Sequence, residues 1–172
     1  MILEGHKVKL ALAGARPENY WDGYREEVFS LAEGLGINKY VLELGFLSEC
    51  DVSFLLSSAD MAILPYSEGA STKRCSLAAC FLHNLPVITT GNKLLPGFLA
   101  DNENIILVKP NAPEELKGRA VELITNKALK EKIKRNAEGV RNSLSWNNIA
   151  KLHIEIYNEL AKGKILVISM GF

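Results

Sequence analysis

A chain of 172 residues has the length of one domain of ordinary size, enough to bury a core, and 48% hydrophobic with 23% charged residues is the composition of a soluble globular protein. Twenty basic residues balance twenty acidic ones, so charge gives no reason to expect a nucleic-acid or polyanion surface. Three cysteines, at 50, 75 and 80, have no zinc-ligand spacing and sit in apolar helical contexts, which reads as reduced, packed thiols in a cytosolic protein; no stretch reads as a signal peptide or reaches membrane-spanning length.

Val8 to Ala13 is a nearly continuous apolar run ending at Gly14, the profile of a parallel strand covered on both faces. The loop Gly14-Ala15-Arg16-Pro17 lacks the three glycines of a dinucleotide fingerprint, which disfavours a nicotinamide or flavin dehydrogenase. Arg16 either reaches a phosphate or is a surface arginine. From about Asn19 to Leu35 the residues Trp21, Tyr24, Val28, Leu31 and Leu35 recur at helical spacing, with Gly36 as the stop, and the stripe is taken as core rather than as a sugar-stacking pair. Tyr40 to Leu44 is the next strand. Gly45-Phe46-Leu47 is its edge loop, and Ser48 with Asp51 resembles a capping box opening a helix through Leu55 and Leu56.

The most informative stretch is Asp60 to Thr90. Asp60 to Leu64 is a short apolar run stopped by Pro65, Thr72 to His83 has the apolar pattern of a packed helix, and Pro86 to Thr89 reads as a buried strand. Strand, turn, helix and strand make a βαβ unit, whose right-handed crossover puts the turn Tyr66-Ser67-Glu68-Gly69-Ala70-Ser71 at the carboxyl edge of the sheet, where ligands bind. Gly69 admits close backbone approach, Ser71 is a suitable N-cap, and the unpaired N–H groups of the following helix suit a phosphate. Lys73 and Arg74 in the first turn oppose the helix dipole, so either an anion binds there or both side chains extend into solvent. Farther on, Ile105 to Val108 is the last strand of the pattern. Asn111 caps a helix to about Thr125, and helices over Ala128–Asn142 and Trp146–Leu160 follow, the last capped by Ser145.

Residues Pro65, Glu68, Gly69, Ser71, Lys73, Arg74, Ser76 and Leu77 match the pattern P-x-x-(Asp/Glu)-Gly-x-Ser-x-(Arg/Lys)-Arg-x-Ser-Leu, and with Gly14, Gly45, Asp60 and Ser145-Trp146 they resemble the donor-binding C-terminal domain of GT-B glycosyltransferases of the retaining family-four type. The resemblance extends from about Val8 to Leu160. It implies a Rossmann-like three-layer α/β/α sandwich with a mostly parallel sheet, binding a nucleotide-diphosphate sugar without a metal; no Asp-x-Asp pair is present to hold one. It further implies that Phe46 and Leu47 border the nucleotide base, a role compatible with a hydrophobic staple onto the helix. Gly14, Gly69, Ala70, Ser71, Lys73 and Ser76 would line the donor site. Arg74 with Glu68 would serve catalysis, Arg74 or Lys73 at the diphosphate and Glu68 at sugar or ribose hydroxyls, unless Glu68 is a solvated turn acid. Two departures stand out: the second acidic residue of the usual signature falls on Ala79, and Asn84 occupies a common glycine position.

The resemblance makes residues 1–163 an incomplete donor-binding domain, with the acceptor domain and a preceding strand and helix outside this chain. Residues 164–172 form a strand-like tail, and Lys164 to Ser169 is expected to complete the centre of the sheet. A cytoplasmic protein is expected, with peripheral membrane contact open to a partner domain. The rival reading is a non-catalytic Rossmann-like module for nucleotide binding or assembly, which Ala79 favours.

Overall fold

The structure, a computed structural model, describes residues 5, 7–14, 22–71, 73–92, 95 and 97–163. Arg16, Trp21 and the expected strand at Lys164 to Ser169 lie outside these residues. The chain divides into two units, Met1–Leu55 and Leu56–Phe172.

The second unit is built around a strand that is buried along its whole length. Val87, Ile88, Thr89 and Thr90 are all inaccessible, and because successive side chains point to opposite faces, both faces of the sheet are covered. This strand, β4 (Val87–Thr90), lies between β3 (Ala62–Leu64) and β5 (Ile106–Val108), and both pairings are parallel. β3 pairs with no other described strand, so one of its edges stays open among the described residues. Helix α3 (Cys75–Leu82) contributes Leu77, Cys80 and Phe81 to the core, and α4 (Pro113–Thr125) contributes Ala120 and Leu123. In α5 (Lys127–Ser143) the buried Ile133, Ala137 and Val140 follow at intervals of four and three, one stripe of the helix. The Asn126 side chain accepts from Leu129 N–H to cap α5, and Ser145 caps α6 (Trp146–Ala161) through Asn148 N–H, as its sequence position predicts. Asn111 does not cap α4: Ala112 occupies that position, and Asn111 takes φ 55° in the preceding turn. Asn84, where a glycine is common, has φ 52° just beyond the end of α3, a left-handed conformation that asparagine tolerates better than other side-chain-bearing residues.

The first unit holds β1 (Leu10–Ala13) and β2 (Val41–Gly45), paired in parallel, with α1 (Asp22–Gly34), a short 3-10 helix at Asn38–Tyr40 and the start of α2 (Glu49–Ser58). Ser48 Oγ accepts from Asp51 N–H and donates to the Asp51 carboxylate, half of the expected capping box. Two expectations fail in this unit. Leu10, Ala11 and Ala13 of β1 are exposed, and so are Tyr24, Leu31 and Leu35 of the stripe taken as core. Periodicity shows which residues share a face, but burial needs a covering element, and among the described residues of this unit only Ala32 is a buried apolar residue. The thiols are also unequal. All three are free, Cys80 is buried and its pKa is pushed up to about 11 by burial, while Cys50 and Cys75 are exposed. No helix among the described residues is long and apolar enough to cross a membrane.

Candidate functional site

β3 ends at Leu64 before Pro65, and the chain turns back at the carboxyl edge of the sheet. The end of β4 holds this turn through three hydrogen bonds. The Thr90 hydroxyl donates to the Tyr66 carbonyl, Ala70 N–H donates to the Thr90 carbonyl at 2.7 Å, and Asn92 Nδ2 donates to the Glu68 carbonyl at 2.8 Å. Within the turn, Gly69 N–H donates to the Tyr66 carbonyl at 3.1 Å. Gly69 is required twice over: its φ is 86°, and a Cβ placed there would stand 2.6 Å from Asn92 Cβ.

These bonds correct one expectation about the backbone. The N–H groups of Gly69 and Ala70 are donated within the unit, so they are not the free donors that the turn sequence suggested. The N–H groups of Ser71, Cys75 and Ser76, a little later, have no hydrogen bond recorded to another described residue. Helix α3 begins at Cys75, three residues after the expected Thr72, because Arg74 N–H donates to the Ser71 carbonyl and closes a turn first. Ser71 is therefore not the N-cap. Arg74 takes that position, with extended backbone and no side-chain cap, and Lys73 and Arg74 precede the helix instead of occupying its first turn.

The side chains cluster at this point. The Arg74 guanidinium carbon lies over the Tyr66 ring, 4.7 Å from its centre, and the guanidinium lies 3.7 Å from the Glu68 carboxylate, whose side chain is 86% exposed. The Tyr66 hydroxyl shares a hydrogen bond of 2.7 Å with Ser76 Oγ, in the first turn of α3. Lys73 is exposed and makes no ion pair among the described residues. Glu68, Gly69, Ala70, Ser71, Lys73, Arg74 and Ser76 are thus neighbours on one edge. The other three expected residues belong to the first unit: Gly14 N–H donates to the Gly45 carbonyl at 2.9 Å, Gly45 has φ 64°, and beyond it Phe46 is 79% exposed and Leu47 half-buried.

Tyr66, Thr90 and Asn92 were not singled out by sequence reasoning, because their roles arise from contacts between segments about two dozen residues apart. Ala79, on α3, offers its carbonyl to His83 Nδ1 and has no side chain to replace the acidic residue of the usual signature. A recess of about 90 Å³ lies at the opposite end of the strands, lined by Asp60, His83, Asn84, Lys130 and Lys134 among others. The last turn of α2 and the residues just past the end of α3 border it, so its lysines answer two negative helix ends, and Lys130 also pairs with Asp60 at 2.8 Å. Those roles account for its charges without a ligand.

A turn of this kind, at the carboxyl edge of a parallel sheet and leading into a helix, is where open α/β folds bind ligands. The chain belongs to the family described as glycosyl transferases group 1, whose profile matches residues 2–140. It is 28% identical over 159 residues to an uncharacterized glycosyltransferase of Methanocaldococcus jannaschii, covering 91% of this chain and 38% of that protein. Its fold is similar to that of Anabaena HepE, solved in complex with UDP, with a TM-score of 0.73 at 20% identity over 90% of this chain and 41% of HepE. It is also similar to the C-terminal domain of the group 1 glycosyl transferase LpcC from Francisella tularensis, with a TM-score of 0.65 at 18% identity over 75% of this chain and 65% of that domain. The chain thus spans about two-fifths of the full-length relatives, as a C-terminal-type portion with the GT-B Rossmann-like fold.

Proposed function

We propose that the chain is the donor-binding half of a retaining glycosyltransferase that passes a hexose from a nucleotide-diphosphate sugar to an acceptor hydroxyl. The observation that carries this reading is the turn at residues 66–71, pinned to β4, with the Arg74 guanidinium and the N–H groups of Ser71, Cys75 and Ser76 at one edge. Negative charge develops on the leaving diphosphate, and fixed donors with a neighbouring cation stabilise it. Arg74 supplies the cation, with Lys73 nearby, so the site needs no metal for that task. Glu68 faces the sugar or ribose hydroxyls. The binding of UDP by HepE supports a nucleoside diphosphate as ligand.

Donor and acceptor must be held together for transfer, and the acceptor site belongs to a further domain, so this chain alone binds nucleotide and transfers no sugar. Calorimetric titration with UDP, GDP and ADP tests the reading. Saturable binding of one of the three is expected. Binding of none would return the chain to a purely structural module, the reading that Ala79 favours.

A further inference from the structure

We infer that Tyr66 is a positioning residue that holds Arg74 ready for the diphosphate, an inference that rests on the reading above. An arginine at an exposed helix start has a long, freely rotating side chain, and something must fix it if it is to meet a ligand in one geometry. Two contacts are available to do so. The Glu68 carboxylate is 3.7 Å away and highly exposed, too far for a hydrogen bond, and as an anion it would compete with a diphosphate for the same N–H donors. The Tyr66 ring, 4.7 Å from the guanidinium carbon, attracts the cation through its face and, being uncharged, does not compete with phosphate oxygens as a carboxylate does.

The ring is itself anchored. Its backbone carbonyl accepts from Gly69 N–H and the Thr90 hydroxyl, and its own hydroxyl is tied to Ser76 at 2.7 Å. Tyr66 therefore links the end of β3 to the first turn of α3 and presents one face to Arg74. Glu68 is left as the exchangeable partner: when a diphosphate takes the guanidinium, the carboxylate is released toward the ligand's hydroxyls while the ring keeps Arg74 in place.

The test is a double-mutant cycle on affinity for whichever of UDP, GDP and ADP binds. Tyr66→Leu should weaken binding about 2- to 10-fold, the range for a cation–π contact between exposed and partly desolvated settings, while Tyr66→Trp, which keeps an aromatic face, should stay near the parent. In an Arg74→Ala background Tyr66→Leu should change nothing further, whereas a merely structural role would weaken binding equally in both backgrounds. A second measurement needs no variant: the Arg74 Nε–H resonance of the parent chain should carry an upfield ring-current shift that persists on adding nucleotide. Additive losses, an Arg74→Ala variant with parental affinity, or an Arg74 resonance at its ordinary position would overturn the inference while leaving the nucleotide site standing. A parent chain that binds none of the three nucleotides would overturn the site and this inference together.

Discussion

Replacing Gly69 by alanine tests the construction of the turn most sharply, because two separate costs meet at one atom. The backbone sits at φ 86°, and left-handed geometry costs a residue with a Cβ about 1–2 kcal/mol. The added methyl would stand 2.6 Å from Asn92 Cβ and 2.7 Å from Asn92 Nδ2, so Asn92 must move and give up its hydrogen bond to the Glu68 carbonyl. Overpacking of this kind costs about 1–3 kcal/mol. Together Gly69→Ala should destabilise the chain by about 2–5 kcal/mol in urea denaturation followed by circular dichroism. The two parts separate in an Asn92→Gly background, where no Cβ remains to collide with and only the backbone cost of about 1–2 kcal/mol persists. Equal costs in both backgrounds would show that Asn92 does not lie against the turn, and a cost below about 0.5 kcal/mol in the parent, the level of an ordinary surface substitution, would refute the left-handed geometry as well.

Arg74→Ala should weaken nucleoside diphosphate binding by roughly 1.5–3 kcal/mol, as for a hydrogen bond to a charged partner, with little change in unfolding midpoint; unchanged affinity by calorimetry would return Arg74 to the surface. The Lys130 ammonium beside Asp60 holds its carboxyl below the usual carboxylate value, through their hydrogen bond first and charge second. A depressed folded-state pKa gives stability that is present above the unfolded value and lost as pH falls through the folded one, so the stability gap between the parent and Asp60→Asn should be present at neutral pH and close below about pH 4; a gap independent of pH would contradict the pairing. The expectation that Lys164 to Ser169 completes the centre of the sheet predicts that a chain ending at Lys162 unfolds at lower urea concentration than the full chain, and undiminished stability would defeat it.

Among the described residues, the five strands and six α-helices were legible to within about three residues, because apolar runs, periodic stripes and turn residues are local signals. Val87 and Ile88 read as a buried strand and are buried; Leu77, Cys80 and Phe81 read as a packed helix face and are packed. Burial in the first unit was not legible. Tyr24, Leu31 and Leu35 have the spacing of a core stripe, yet spacing carries no information on whether anything covers it. The site was half legible. Gly69 and Arg74 follow from local pattern, but the donation of Ala70 N–H to Thr90, the late start of α3 and the contacts of Tyr66 and Asn92 depend on how β3 and β4 lie side by side. A sequence records which groups need partners and not which partners they find.

The central claim is that a nucleoside diphosphate binds at the start of α3, and backbone amide NMR on the 15N-labelled chain tests it most directly. On adding the nucleotide that binds, the account predicts the largest shift changes at Ser71, Cys75 and Ser76, whose N–H groups have no hydrogen bond recorded to another described residue, with smaller ones at Gly69 and Ala70, whose N–H groups are already donated. Changes concentrated at Asp60, Lys130 and Lys134 around the opposite recess, with none at the start of α3, would contradict it.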